Sequence, residues 1–163
     1  MSLDDLSPRR ATAGDAAALN ALARAAYEIY VPVIGRQPMP MAVDWATLLP
    51  VQEIWIVDGP SGETVASLAL EREPDHLVIW SIAVAPAHQG HGIGRRLMAF
   101  AETRACALQR SEIRLFTNAR MDRNIAHYRR LGYVETHREP LADRVLVHLC
   151  KKIAAAKNEV APS

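Results

Sequence analysis

The sequence predicts an α/β (α+β) fold, in which a mixed, mostly antiparallel sheet of six to seven strands carries helices on both faces. Short apolar segments bounded by turn residues are typical of strands, and apolar residues recur at helical spacing near residues 12–30 and 95–109. Three predicted strands follow one another across tight turns, which indicates an antiparallel meander. The chain has 163 residues, of which 50% are hydrophobic, enough for a sizeable core. We therefore expect one domain over residues 1–153 and a disordered tail over residues 154–163.

The first third of the chain is predicted to contain one strand and two helices. Thr12 lies three residues before Asp15, as in a capping box, and apolar residues then keep helical spacing to about Tyr30. Pro32 is expected to end this helix. The predicted elements are a strand over residues 7–12, a helix over 12–30, a proline-broken loop over 33–41 and a helix over 42–49.

The rest of the chain alternates strands with two further helices. Gly59 and Gly62 mark the turn of a hairpin, and Glu139-Pro140 is expected to turn the chain between the last two strands. Gly132 is expected to cap the second of these helices. The predicted strands span residues 52–57, 64–71, 77–84, 113–117, 133–135 and 144–150, and the longer helix spans residues 95–109.

The composition argues against several classes of function. A formal net charge of +1 selects neither nucleic acid nor an anionic membrane as a partner. No apolar run approaches the ~20 residues of a membrane span, and the N-terminus does not resemble a signal peptide, so we expect a cytoplasmic protein. The histidines lack metal-ligand spacing, and Cys106 and Cys150 form no Cys-x-x-Cys pair. We therefore expect no metal site and two buried free thiols.

Residues 77–96 combine a strand, a glycine turn and the start of a helix. The apolar run Leu77–Val84 predicts a buried strand, Pro86 ends it, and glycines at positions 90, 92 and 94 precede a helix. Glycines let the main chain approach a ligand, and the free N–H groups in the first turn of a helix bind anions. The spacing is neither that of a Walker loop nor that of a Gly-x-Gly-x-x-Gly dinucleotide motif. It predicts an anion-binding turn.

Two motifs together resemble one known family. Gln89-x-x-Gly92-x-Gly94, after a strand that ends Ile82-Ala83-Val84, resembles the acetyl-CoA signature Arg/Gln-x-x-Gly-x-Gly/Ala of the GNAT superfamily of N-acetyltransferases. A second motif is similar to the Asn…Asn…Tyr…Gly-Phe/Tyr pattern of the same family. The resemblance covers roughly residues 7–152, and it implies the GNAT fold with a sheet splayed at the cofactor site. The second motif consists of Asn118, Asn124, Tyr128 and Leu131-Gly132-Tyr133.

The resemblance implies direct acetyl transfer from acetyl-CoA, a co-substrate, to an amine in a ternary complex, without a metal. In the family, main-chain N–H groups of the glycine turn bind the pyrophosphate, and the end of the central strand pairs with the pantetheine arm. A main-chain N–H near Val84 would stabilise the thioester oxygen, Asn124 would hold the pantetheine amides, and Tyr128 would protonate the departing thiolate. The implied cofactor-binding residues are Ile82, Ala83, Val84, Gln89, Gly90, His91, Gly92, Ile93, Gly94, Arg95, Asn118, Asn124 and Tyr128.

The general base departs from the family pattern. Many members carry a glutamate on the central strand, where this chain has Trp80 and Ser81. Two interpretations stay open: Glu71 or Glu73 acts through a water molecule, or the amine arrives neutral and needs only a water relay. Glu71 is our named candidate for a catalytic base.

The acceptor pocket is expected to lie against the first two helices, which form one of its walls in the family. An Ile-Gly-Arg-x-Pro-x-Pro-Met loop like residues 34–41 occurs in a bacterial subgroup whose substrate is unassigned. The acceptor is therefore open between a small-molecule amine and a peptide amine. Homodimers are common in the family, although no exposed apolar stripe indicates one here. The candidate lining residues are Tyr27, Tyr30, Ile34, Arg36, Met41 and Trp80.

Two alternative functions would use the same anion-binding turn. A non-catalytic acyl-CoA-binding or sensor module would explain the missing strand carboxylate. A transferase for a different acyl-CoA, such as succinyl-CoA, would use Arg36 to bind the added carboxylate.

Overall fold

Seven strands form one mixed sheet in the computed structural model, which describes residues 7–154. Their order across the sheet is β1-β2-β3-β4-β5-β7-β6. Only β4 and β5 are parallel neighbours, and every other neighbouring pair is antiparallel. The predicted fold class is confirmed. The strands are β1 (Arg9–Arg10), β2 (Glu53–Asp58), β3 (Thr64–Arg72), β4 (Leu77–Val84), β5 (Glu112–Asn118), β6 (Val134–Pro140) and β7 (Val145–Lys152).

Helices cover both faces of this sheet. On one face, Leu19 and Trp45 pack against Ile54 of β2, and we call the helices on this face the α1 layer. On the other face, the α5 layer buries Leu97 and Ile125 in the larger core cluster. Burying both faces stabilises a central strand that is apolar except at Ser81. The helices are α1 (Ala16–Tyr27), α2 (Val31–Ile34), α3 (Met39–Ala42), α4 (Trp45–Leu48), α5 (Ile93–Ala107) and α6 (Asp122–Arg130).

Three predicted boundaries near prolines and caps were wrong. Pro32 does not end the helical region, because it lies in the first turn of α2, where its missing N–H is not needed. The helix predicted over residues 42–49 is interrupted at Val43, which is extended, and Asp44 begins α4 by accepting a hydrogen bond from the N–H of Ala46. Pro140 does not turn the chain, because β6 is an edge strand that tolerates proline.

A β-bulge interrupts the central strand. Ala69 of β3 pairs with Ser81, whereas the next residue, Leu70, pairs with Ile79, so Trp80 is one residue too many for the ladder. The side chains of Trp80 and Ser81 consequently both face the α1 layer. The bulge therefore places two consecutive side chains of β4 on one face.

The parallel pair β4 and β5 separates halfway along its length. Pairing begins at Leu77 with Ile113 and stops at Ile79 with Leu115. Beyond that point, residues 80–84 of β4 lack ladder partners on β5. The sheet is therefore splayed, as predicted, and the gap opens at the carboxyl end of the two strands.

An ion cluster beneath α5 holds this helix against the sheet. The carboxylate of Glu53 is almost fully buried and accepts hydrogen bonds from Arg104 Nε of α5 at 2.5 Å, Arg72 Nε of β3 at 2.6 Å and Trp55 Nε1 at 2.9 Å. Burial alone would raise the pKa of Glu53, but these three donors outweigh it and the pKa is lowered. A charge buried in this way requires all of its partners.

Two expectations concern the chain ends and membranes. Of the predicted disordered tail over residues 154–163, residues 155–163 lie outside the described residues. Within residues 7–154, no helix is both long enough and apolar enough to cross a membrane.

Candidate active site

A cleft of about 310 Å³ opens in the gap between β4 and β5. Its walls come from both helical layers, so it passes through the sheet at the point where the strands separate. We call its two ends the α5 side and the α1 side. The α5 side is lined by Gln89, Gly94, Met98, Asn124 and Tyr128, and the α1 side by Tyr27, Tyr30, Ile34, Arg36 and Trp80.

The glycine turn begins α5 beside the α5 side of the cleft. Gly90 and Gly92 have φ angles of +82° and +81°, a region that residues with a Cβ rarely adopt. A Cβ built at either position would meet no atom within 4 Å, so open space lies in front of the main chain here. Gly92 is the N-cap of α5, and the first N–H groups of this 15-residue helix are available to an anion.

The predicted cofactor-binding residues divide into those that line the cleft and those that do not. Ile82, Ala83 and Val84 line it at the unpaired end of β4. Gln89 lines it as well, and its Nε2 donates to the carbonyl oxygen of Val84 at 3.0 Å. Ile93 packs in the core, so only its main chain is near the turn. The remaining members of the turn, Gly90, His91, Gly92 and Arg95, are exposed and do not line the cleft.

The second motif lies on β5 and α6. Asn118 ends β5, lines the cleft, and accepts a hydrogen bond from the N–H of Arg120 at 2.9 Å. Asn124 and Tyr128 are four residues apart on α6 and both line the cleft. The end of β5 and α6 thus bring the three motif residues to one cavity.

Tyr128 has a hydroxyl that is free to act on a ligand. Among residues 7–154, no group is hydrogen bonded to this hydroxyl. Burial raises its pKa, and the neighbouring phenols of Tyr27 and Tyr30 raise it further. Because those two tyrosines line the α1 side, Tyr128 lies where the two sides of the cleft meet. Its phenol stays protonated, and therefore a proton donor, at neutral pH.

Tyr27 differs from Tyr128 because its hydroxyl is already engaged. It donates to the carbonyl oxygen of Ile82 at 2.8 Å and lies 3.0 Å from the Oγ atom of Ser81. Burial raises its pKa. Tyr27 thus supports the splayed end of β4 from the α1 layer.

The predicted acceptor residues, with one exception, line the cleft. Trp80 packs edge-to-face on Trp45, with ring centroids 5.8 Å apart, which fixes one wall. Arg36 forms an ion pair with Asp143 of the turn between β6 and β7. The exception is Met41, which does not line the cleft, whereas its neighbours Met39 and Pro40 do.

The candidate base Glu71 lies outside the cleft lining. It is on β3 and accepts a hydrogen bond from Gln52 Nε2 at 3.0 Å. Burial raises its pKa, the hydrogen bond from Gln52 opposes that rise, and the nearby charge of Glu73 adds to it.

Sequence reasoning missed several lining residues because they come from distant segments. His127 and Arg144 line the cleft, although neither belongs to a motif. Burial lowers the pKa of His127, and the charges of Arg130 and Arg95 lower it further. In the sequence, only the position of His127 one residue before Tyr128 indicated that it could lie near the site. The other missed residues include Gln37, Pro38, Met39, Phe116, Thr117, Met121 and Leu146.

Neither cysteine nucleophiles nor a cluster of metal-ligating side chains is found at the cleft among the described residues. Cys106 and Cys150 are free, partly exposed thiols rather than buried ones, and neither lines it. In the part of the chain that the structure describes, no group of three or more His, Cys, Asp or Glu side chains is placed to hold a metal ion.

Comparison with known proteins agrees with this geometry. The ribosomal-protein-S18-alanine N-acetyltransferase of Escherichia coli matches with a TM-score of 0.75 at 17% identity, over 95% of this chain and 98% of that one. The PaiA N-acetyltransferase of Thermoplasma acidophilum, solved with coenzyme A, matches with a TM-score of 0.71 at 13% identity, over 91% and 98%.

A third structure, the spermidine/spermine N-acetyltransferase SpeG of Vibrio cholerae, matches with a TM-score of 0.68 at 15% identity, over 91% of this chain and 93% of that one. At these identities the three structures bear on the fold alone. The sequence itself matches the family model described as "Acetyltransferase (GNAT) domain" over residues 50–135, just over half of the chain. The protein therefore belongs to the GNAT acetyltransferase family and is an N-acetyltransferase.

Proposed function

We propose that this enzyme transfers the acetyl group of acetyl-CoA to a primary amine by direct attack within a ternary complex. The observation that carries the proposal is the position of Tyr128, whose unbonded hydroxyl lies where the two sides of the cleft meet. The α5 side then takes acetyl-CoA, and the α1 side takes the amine.

The residues on the α5 side suit coenzyme A. The open space before Gly90 and Gly92 and the first N–H groups of α5 would hold the pyrophosphate, with Arg95 nearby. Residues 82–84 pair with β3 but have no ladder partner on the β5 side, and that edge would pair with the peptide-like pantetheine arm, while Asn124 would hold its amides. The remaining residues proposed to contact the cofactor are Gln89, His91, Ile93, Gly94 and Asn118.

Acetyl-CoA, when bound, supplies an electrophilic thioester carbonyl and a thiolate leaving group. Tyr128 donates its phenolic proton to the sulfur as the carbon–sulfur bond breaks and the carbon–nitrogen bond forms. A main-chain N–H near Val84 would stabilise the negative charge on the thioester oxygen. The proton that the amine loses passes to water, and Tyr128 regains its own from solvent.

Removal of the amine proton has two routes in this proposal. Glu71 is outside the cleft lining and bonded to Gln52, so it would act only through water. Alternatively, the amine binds in its neutral form and needs a water relay alone. The position of Glu71 outside the lining favours the second route, and the kinetics of Glu71→Gln distinguish the two.

A screen of amine acceptors with acetyl-CoA tests the proposal, with release of free thiol as the readout. We expect thiol release that depends on both substrates, with initial-rate lines that intersect as a ternary complex requires. Tight acetyl-CoA binding without acetylation of any amine would instead favour the acyl-CoA-binding module. A larger rise of the melting temperature with another acyl-CoA would favour a different donor.

The proposal includes the wider assignments made from the sequence. We infer that residues 1–153 form one N-acetyltransferase domain that works in the cytoplasm and can form a homodimer. The resemblance of residues 34–41 to a loop in a bacterial subgroup of the family supports membership of that subgroup. The acceptor pocket would use Tyr27, Tyr30, Ile34, Arg36 and Trp80, whereas Met41 does not line the cleft.

A further inference from the structure

The charged side chains on the α1 side of the cleft all have one sign. Arg36, from the segment between α2 and α3, and Arg144, at the start of β7, both line the cleft. Within the described residues 7–154, the lining contains no aspartate or glutamate. The remaining lining on this side is largely apolar, including Ile34, Met39 and Leu146. The α1 side therefore offers two guanidinium groups and apolar walls.

The two arginines already hold a carboxylate. Arg36 Nη1 contacts Oδ2 of Asp143, and Arg144 Nη1 lies 2.9 Å from Oδ1 of the same residue. Each oxygen of one carboxylate thus has a guanidinium of its own, an arrangement that suits planar carboxylate recognition.

Asp143 is the most exposed member of this ion cluster. Its side chain is 57% exposed and lies in the turn between β6 and β7, while the side chains of Arg36 and Arg144 are 35% and 21% exposed. An ion pair so exposed contributes little to stability, so separating it costs little. A ligand carboxylate that enters from the cleft would replace Asp143 on the less exposed face of the two arginines.

We propose that the acceptor is an amino acid, in which the amine is joined to a carboxylate by a small apolar scaffold, and that Arg36 and Arg144 bind the carboxylate. This inference rests on the proposed acetyl transfer and names its substrate class. A cleft of about 310 Å³ that also holds the end of the pantetheine arm leaves room for a small molecule. A polyamine would bring positive charge towards two arginines, which is unfavourable.

The experiment compares three kinds of acceptor by thiol release with acetyl-CoA: apolar L-amino acids such as leucine and methionine, their amides, and spermidine. We expect kcat/KM for the amino acids to exceed that for the amides by at least about tenfold, because the amide cannot form the charge-assisted pair. The variants Arg36→Gln and Arg144→Gln should erase this preference by raising KM for the amino acid, with little change in KM for acetyl-CoA. Asp143→Asn should lower KM for the amino acid, since it removes the competing carboxylate.

Arg138→Gln is the matched control, because Arg138 is also paired with a carboxylate, that of Glu135, but does not line the cleft. Its kinetics should equal those of the wild type. Equal or faster acetylation of the amides or spermidine would overturn the inference while leaving the acetyltransferase proposal intact.

A binding measurement covers the case in which no amine is acetylated: calorimetry with N-acetyl-L-leucine and N-acetyl-L-leucinamide in the presence of coenzyme A. Preferential binding of the acid, lost in Arg36→Gln, supports the carboxylate site, and equal binding refutes it.

Discussion

The two sides of the cleft are formed by different kinds of chain segment. The α5 side comes from one continuous segment, the end of β4 and the glycine turn with the start of α5, together with side chains of α6. The α1 side consists of side chains from separate segments, residues 26–40 and the turn before β7. Main-chain N–H and C=O groups recognise phosphate and amide groups, whatever the neighbouring side chains are. Side chains on loops, in contrast, are free to vary with the ligand. In the proposed function, the first side would therefore bind the cofactor, and the second would select the substrate.

Removing the hydroxyl at the junction of the two sides should have the largest effect. Tyr128→Phe is expected to lower kcat at least about 100-fold, the usual minimum for loss of a general acid. KM for acetyl-CoA should change less than twofold, since ring packing is retained. Because the pKa of Tyr128 is raised, its hydroxyl stays protonated through neutral pH, and the wild-type rate should show no loss from phenol ionisation below pH 10.

Tyr133→Phe is the matched control for this variant. The ring of Tyr133 lies 6.2 Å from that of Tyr128, and its hydroxyl is buried without a hydrogen-bond partner among the described residues. Its removal should leave kcat unchanged and stabilise the fold slightly, since an unsatisfied polar group is lost. Equal kinetics of the two variants would remove Tyr128 from the mechanism.

A change in the glycine turn should weaken cofactor binding without affecting the chemical step. Gly92→Ala is expected to raise KM for acetyl-CoA about tenfold, because a methyl group would occupy the space through which the pyrophosphate approaches the main chain. The positive φ also makes alanine less stable there by about 1 kcal/mol. Steady-state kinetics and chemical denaturation measure the two effects.

Gly62→Ala separates strain from binding. Gly62 has a φ of +80°, equally open surroundings and a place in the β2–β3 hairpin, outside the cleft lining. It should lose a similar amount of stability without a change in KM. A rise in KM in this variant as well would mean that backbone strain, and not a blocked anion-binding turn, caused the effect at Gly92.

The smallest kinetic effect is expected at Glu71. Glu71→Gln should lower kcat less than about threefold, well short of the 100-fold typical of a general base, because the carboxylate does not line the cleft. A large fall together with loss of the acid limb of the pH–rate profile would assign Glu71 as the base through water.

The same variant makes a prediction about stability. Because the folded-state pKa of Glu71 is raised, its protonated form is favoured by folding, and the contribution is lost as the pH rises through that pKa. Glu71→Gln should therefore stabilise the protein more at pH 7 than at pH 4. Melting curves at the two pH values measure the difference.

The sequence predicted the α5 side much better than the α1 side. The bounds of β4 were predicted as Leu77–Val84 because only Ser81 interrupts its apolar run, and α5, predicted from residue 95, begins two residues earlier, directly after Gly92. The bulge at Trp80 was not predictable, since an extra residue in a ladder depends on the partner strand. Local signals also missed the interruption at Val43.

The charges on the α1 side show the limit of local patterns. Arg36 was named from its loop, but its pairing with Asp143 joins residues more than 100 positions apart. Arg144 and His127 carry no motif, and only the folded chain brings them to the cleft. Contacts of this kind depend on topology, which periodicity does not encode.

The passage of the cleft through the sheet also bears on how turnover proceeds. For the proposed reaction, acetyl-CoA would reach Tyr128 from the face of α5 and the acceptor from the face of α2 and α3, since lining residues come from both faces. Separate approaches of this kind would let the two products leave independently. In product-inhibition kinetics we therefore expect coenzyme A to compete with acetyl-CoA, and the acetylated amine to compete with the acceptor.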